Sequence, residues 1–253
     1  MRALARRPAL AVWCAAALAY LLIFAASQHK IIFTDEVVFA QDFGFAALGN
    51  WTAVRIPHPP LYVSLGAALV GVFGTSLTAM RAIGGASFLL TLALIPMTMR
   101  ALFSERAERA ALIAMGIWAL QPLALQGSLL IDIDNTIFVP AMLFFIWASA
   151  NPRRSPLMVG LAFAAMLWTK LLPTALFITA SVVLIRLIRR EGFGRLLLGL
   201  LAGLLVFGVT VLAYSTLLGF RLNTILDTFG RTGELGKGVA KMISRGIMGG
   251  GIT

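Results

Sequence analysis

From Leu196 to Leu218 the chain carries no charged side chain, and neither does the stretch from Pro8 to Ala26. A helix needs about 20 predominantly apolar residues to cross roughly 30 Å of bilayer hydrocarbon. Runs of this kind, repeated along one chain, leave few soluble solutions, because a helix apolar on every side has no face to turn to water. Composition agrees: 60% of the 253 residues are hydrophobic and 12% are charged, where charged residues make up about a quarter of an average soluble domain. The expected fold class is all-α, a polytopic transmembrane helical bundle of about seven spans.

The distribution of charge sets the map. A net charge of +11 gathered on a soluble domain would point to nucleic acid. Here the arginines instead fall between apolar runs, at Arg2, Arg6 and Arg7, at Arg100, Arg106 and Arg109, at Arg153 and Arg154, and at Arg186, Arg189, Arg190 and Arg195. Cytoplasmic loops carry the excess of Lys and Arg, so the pattern argues against a nucleic-acid partner and puts the N-terminus in the cytoplasm. Spans are expected at about Pro8 to Ala26, Ala79 to Leu102, Ala110 to Leu125, Leu129 to Ala148 and Leu196 to Leu218. Leu157 to Ile188 is too long for one helix and carries Lys170 and Pro173 at its middle, which predicts a hairpin of two short spans with Lys170 at its external tip. Leu61 to Phe73 is apolar but short, and reads as a re-entrant or surface-lying helix. Residues 1–218 then form the membrane region, with a first external loop over 27–78 holding juxtamembrane helices. The polar, glycine-dotted segment 219–253 lies outside, and a membrane protein ending there reads as the N-terminal portion of a longer one.

On this map Asp35, Asp42, Asp132, Asp134 and Asp227 all fall on the external side. Acidic residues contribute little to orientation, so their one-sidedness points to chemistry on that face. Thr34 or Asp35 is placed to cap a helix running to Leu48, on which Asp35 and Asp42 lie two turns apart on nearly one face. The bland alternative is that Asp35 only caps and Asp42 is only solvated. Asp132 and Asp134 share a side if their strip is extended and diverge by about 200° if it is helical. They could bind a metal, orient a basic group or cap the following helix through Asn135. Lys30, Arg55, His58, Arg81 and Lys170 are the cations expected on the same side. Lys170, between Thr169 and Leu171, either snorkels to headgroups or meets a phosphate as a point charge. His58, held between Pro57 and Pro59, suits a proton carrier, metal ligand or phosphate donor. Cys14 is the single cysteine, which excludes an internal disulfide and a cysteine-based metal site.

The order of these features resembles a known family. Asp35-Glu36 after the first span, Gly49-Asn50-Trp51 and Arg55, His58-Pro59-Pro60-Leu61-Tyr62, Arg81 opening the next span, an aspartate before a later one and Thr169-Lys170 in a hairpin together resemble the GT-C membrane glycosyltransferases. The closest group looks like glycosyltransferase family 39, with its protein O-mannosyltransferases and bacterial aminoarabinose transferases. The resemblance runs from about Thr34 to Ser215. It implies a polyprenyl-phosphate sugar donor, a lipid, glycan or protein acceptor, and action at the external face of a bacterial inner membrane. By the same resemblance Asp35 matches the catalytic base, Asp134 or Asp132 the second acid, and Lys170 the lysine near the carrier phosphate. Glu36 would be a supporting acid or metal ligand, and Arg55, His58 and Arg81 further phosphate contacts, with a divalent cation as an optional cofactor. Many relatives carry Glu-Lys-Pro-Pro where this chain has Pro57-His58-Pro59-Pro60, and they continue for further spans. The competing classes are a transporter or flippase, in which midplane charges bind substrate between repeats, and an inactive fragment or scaffold.

Overall fold

The computed structural model describes residues 8–28, 34–55, 60–103, 105–131, 137–169 and 173–221, with the backbone alone at 34, 35, 173 and 174. Every regular element among them is a helix: α1 (Pro8–Ser27), α2 (Thr34–Ala47), a 3-10 turn (Trp51–Ala53), α3 (Leu61–Phe73), α4 (Leu77–Leu102), α5 (Ala107–Leu120), α6 (Pro122–Ser128), α7 (Phe138–Ala150), α8 (Pro156–Thr169), α9 (Pro173–Arg189) and α10 (Phe193–Leu218). Three of these, α1, α4 and α10, are long and apolar enough to cross a membrane, and α5 with α6 makes a fourth if the bent pair is one span. Large apolar side chains face outward along them, with Leu22 64% and Leu205 68% exposed. A continuous apolar exterior belongs in lipid rather than water, so the protein is membrane-embedded.

Local chemistry explains where the helices begin, break and end. Ser76 caps α4 by accepting the Ala79 N–H at 3.4 Å, so the helix starts slightly before the expected Ala79. The run expected as one span over Ala110 to Leu125 is bent by 63° between α5 and α6. Its cause is Pro122, which keeps Gln121 out of the helical region (φ −72°, ψ 118°). Gly219 closes α10 in the left-handed conformation (φ 73°), with its N–H donating to the Ser215 carbonyl at 3.2 Å, the left-handed helix ending that glycine favours. In the expected Leu129 to Ala148 span, regular helix is described only from Phe138 onward. α3 matches its expected length at Leu61–Phe73, about 20 Å at 1.5 Å per residue.

α8 is held between α7 and α10, and its contact with α10 is made by glycines. A Cβ on Gly160 would lie 2.8 Å from the Gly199 carbonyl oxygen, and one on Gly203 would lie 2.6 Å from the Gly160 carbonyl oxygen. Within lipid, where helix association relies on close backbone approach rather than on expelling water, small residues four apart serve this purpose. A second close approach joins α4 to the end of α6, where a Cβ on Gly84 would lie 2.3 Å from the Ser128 carbonyl oxygen. That carbonyl accepts the Tyr20 hydroxyl at 3.0 Å, and Tyr20 stacks on Phe88, which ties α1 to the same point.

The bundle is thereby polarised. Arg100, Arg154, Arg186, Arg189 and Arg195 converge at one end, where α4, α7 and α9 finish and α8 and α10 begin. α8 leaves this end and α9 returns to it, which is the antiparallel arrangement expected of the Leu157 to Ile188 hairpin. Its tip, Lys170 to Leu172, lies outside the described residues.

Candidate functional site

At the opposite end, α2 and α3 form a pad on the bundle. Phe43 of α2 covers Gly66 of α3 so closely that a Cβ there would lie 2.2 Å from the ring. Tyr62 meets Phe39 and Phe43 edge-on at 5.3 Å each. Only glycine at 66 lets a phenyl ring lie against helix backbone, so the two helices form a single apolar layer.

Two carboxylates fix this layer. Glu36, in the first turn of α2, accepts from Arg81 of α4 through two parallel bonds of 2.8 Å. It also accepts the Ile131 backbone N–H at 3.0 Å. Both side chains of the pair are 1% exposed, and the bidentate fork is the geometry in which arginine binds a carboxylate best. One acid thus joins α2, α4 and the turn after α6. Asp42, fully buried, accepts the Arg55 backbone N–H at 2.8 Å. The Arg55 side chain lies over it at 3.7 Å and remains 57% exposed, while also donating to Gln41. Asp42 is therefore enclosed rather than solvated, and it holds the segment that leads toward His58.

Across the pad, Tyr214 of α10 receives Trp51 and Trp168 edge-on at 5.2 and 5.3 Å. Its hydroxyl lies 2.8 Å from the Ser64 hydroxyl, and Trp168 Nε1 donates to Thr210. The first loop, α3, α8 and α10 are locked together here by aromatic edges with satisfied polar tips.

Between α3, α4, α7 and α8 runs a groove of about 730 Å³. Leu61, Ile83, Ile137 and Thr169 bound it near the acid-bearing end, and Leu94 and Phe144 lie at its far end. Along α4 it extends from Ala82 to Leu94, about 18 Å, compared with about 15 Å for one leaflet's hydrocarbon. Its wall is apolar: the Thr169 hydroxyl is turned to the Met166 carbonyl at 2.7 Å.

No family model, curated protein or solved structure matches the chain.

The residues expected to do chemistry are thus divided. Glu36 and Arg81 are brought together, with each other as partner. Arg55 stays near the surface beside Asp42. Asp35 lies in the first turn of α2, directly before Glu36, and nothing of its side chain is described. His58, Asp132, Asp134 and Lys170 lie outside the described residues, although Thr169 and Ile137, which adjoin two of those segments, line the groove. Among the described residues no group of three or more His, Cys, Asp or Glu could hold a metal ion. Two features had no sequence signal to announce them. One is the Tyr214 aromatic junction, assembled from positions far apart in the chain. The other is the Ile131 N–H on Glu36, a backbone contact that no side-chain pattern encodes.

Proposed function

We propose that the chain is a membrane glycosyltransferase of the GT-C type, carrying a sugar from a polyprenyl phosphate to a hydroxyl of a lipid, glycan or protein acceptor. It acts on the external face of a bacterial inner membrane, with its N-terminus in the cytoplasm and about seven spans, the shorter helices α7, α8 and α9 included. The observation that carries the reading is the apolar groove. It has the length of one leaflet's hydrocarbon, and the described residues at its acid-bearing end adjoin the segments that hold His58, Asp132, Asp134 and Lys170. A lipid-linked donor needs this combination: an apolar slot for its tail beside polar groups for its phosphate and sugar.

In this reading the chemistry is a single displacement with inversion. Asp35 takes the proton of the acceptor hydroxyl as its oxygen attacks the anomeric carbon, and the bond to the carrier phosphate breaks. Lys170, Arg55 and His58 stabilise the charge that gathers on the departing phosphate. A divalent cation held by Asp134 or Asp132 would supply the same stabilisation. Glu36 and Arg81 position: by fixing the first turn of α2 on α4, they fix the backbone on which Asp35 stands.

The test is titration of the purified full chain with a polyprenyl-phosphate sugar. Binding should saturate, weaken when Ala86→Trp fills the groove from its exposed wall, and vanish with Lys170→Ala. Asp35→Asn should bind normally and fail to transfer. Absence of saturable binding would sink the proposal, as would unchanged binding by Ala86→Trp. Substrate-driven ion uptake in proteoliposomes would favour a transporter instead.

A further inference from the structure

The arginine end holds a second amphipathic cavity. Between α9 and the ends of α4 and α7 lies a chamber of about 370 Å³, with Phe177, Ile178, Val182 and Ile185 along α9 and Ile146 and Leu102 opposite. α9 touches its neighbours sparsely, and Phe177 is 73% exposed, so the chamber opens sideways to the bilayer. Protein interiors are close-packed, and an apolar gap of this size on the lipid side is filled by hydrocarbon. Through Ala101 and Ala150 it adjoins a second chamber of about 560 Å³, lined by Arg100, Trp147, Asn151 and Arg154.

The second chamber is basic and uncompensated. Among the described residues, none of Arg100, Arg154, Arg186, Arg189 and Arg195 has a carboxylate within 4.0 Å. Arg154 stacks 3.4 Å above the Trp147 ring, and its Nη1 is buried without a hydrogen-bond partner. Burial lowers the Arg154 pKa, because desolvation disfavours the charged form. Arg186, 5% exposed, donates to the Ser149 carbonyl on the wall of the first chamber. The Glu191 carboxylate acts on Arg186 through its charge and is itself exposed.

We propose that this end binds an anionic glycerophospholipid, with an acyl chain in the α4, α7 and α9 chamber and the phosphate between Arg100 and Arg154. Charge decides the class. A phosphate supplies the missing acceptors for two planar guanidinium forks, and a headgroup without a compensating cation suits a basic ring that would repel choline. The apolar chamber selects a lipid over a free anion. The site lies at the opposite end from the donor groove and does not depend on the transferase reading.

Native mass spectrometry of the full chain in detergent, mixed with equal phosphatidylglycerol and phosphatidylcholine, reads the preference directly. The wild type should retain phosphatidylglycerol at least about fivefold over phosphatidylcholine, and Arg154→Ala should lower that by about fivefold, the worth of one arginine near a charged lipid surface. The adjacent, exposed Arg153→Ala should change nothing. Ser181→Trp, which fills the apolar chamber and leaves every arginine in place, should remove retention. Inorganic phosphate at tens of millimolar should not displace the lipid. If Arg154→Ala does not fold, Arg100→Ala, exposed near the end of α4 and lining the basic chamber, carries the same expectation. Equal retention of the two lipids overturns the proposal. So does an Arg153→Ala effect equal to that of Arg154→Ala, unchanged retention by Ser181→Trp, or displacement by phosphate.

Discussion

Removing Arg81 should unfold the protein far more readily than removing Arg81 and Glu36 together. The pair is 1% exposed on both sides, so Arg81→Met leaves a carboxylate sealed away from water. Breaking a buried pair from one side costs about 3–5 kcal/mol, and Glu36→Leu strands Arg81 at a similar cost. The double variant, Glu36→Leu with Arg81→Met, removes both charges and restores apolar volume. What remains is the Ile131 N–H, which loses its acceptor at about 1–3 kcal/mol. The single losses sum to about 6–10 kcal/mol, so the coupling should be about 3 kcal/mol or more. The assay is equilibrium unfolding in mixed micelles, raising the SDS fraction and following near-ultraviolet circular dichroism for all four proteins. Because solvent ions do not reach the pair, the differences should be the same at about 0.05 and about 0.5 M salt. A loss under about 1 kcal/mol for Arg81→Met, or single losses that simply add, would refute the account of α2 as a helix bolted down by one enclosed ion pair.

Gly203→Ala should destabilise by about 1–3 kcal/mol, because its Cβ meets the Gly160 carbonyl at 2.6 Å and α8 must back away. Gly208→Ala on the same helix meets nothing within 4 Å and should stabilise by about 0.5–1 kcal/mol through helix propensity; the same unfolding titration distinguishes the signs. Tyr20→Phe should cost about 1 kcal/mol, the net value of its bond to the Ser128 carbonyl, while the stacking on Phe88 persists in the near-ultraviolet spectrum. Reporter domains fused after Arg154 and after Arg190 should both register as cytoplasmic, and an external signal at Arg190 would break the α8–α9 hairpin.

Much of the frame was legible in order along the chain. Uncharged runs gave α1 and α10 nearly to the residue, because burial in lipid imposes hydrophobicity on every position of a span. The length of α3 was equally plain, being bounded by Pro60 and by Gly74 in a conformation (φ 67°) that favours glycine. Gln121-Pro122 marked the outer half of a run and breaks the helix there, but where α6 then lies depends on its packing against α4 at Gly84. The hairpin followed from arginines at both ends of an overlong apolar stretch. In each of these cases the informative residues are neighbours in sequence, so local rules suffice.

Pairing is different. Charge placement put Glu36 and Arg81 on one side of the membrane, yet only the packed helices bring them within 2.8 Å and make them each other's partner. Asp42, open to reading as a solvated acid, is buried where Arg55 comes back to it, with the Arg55 N–H donating to its carboxylate. The two grooves are gaps between helices distant in sequence, and a gap has no composition to read. What the sequence determined by itself was therefore the solvent each segment must face, because transfer energies add residue by residue. The tertiary structure decided which polar group meets which and where space is left, because those depend on distances that no single segment contains.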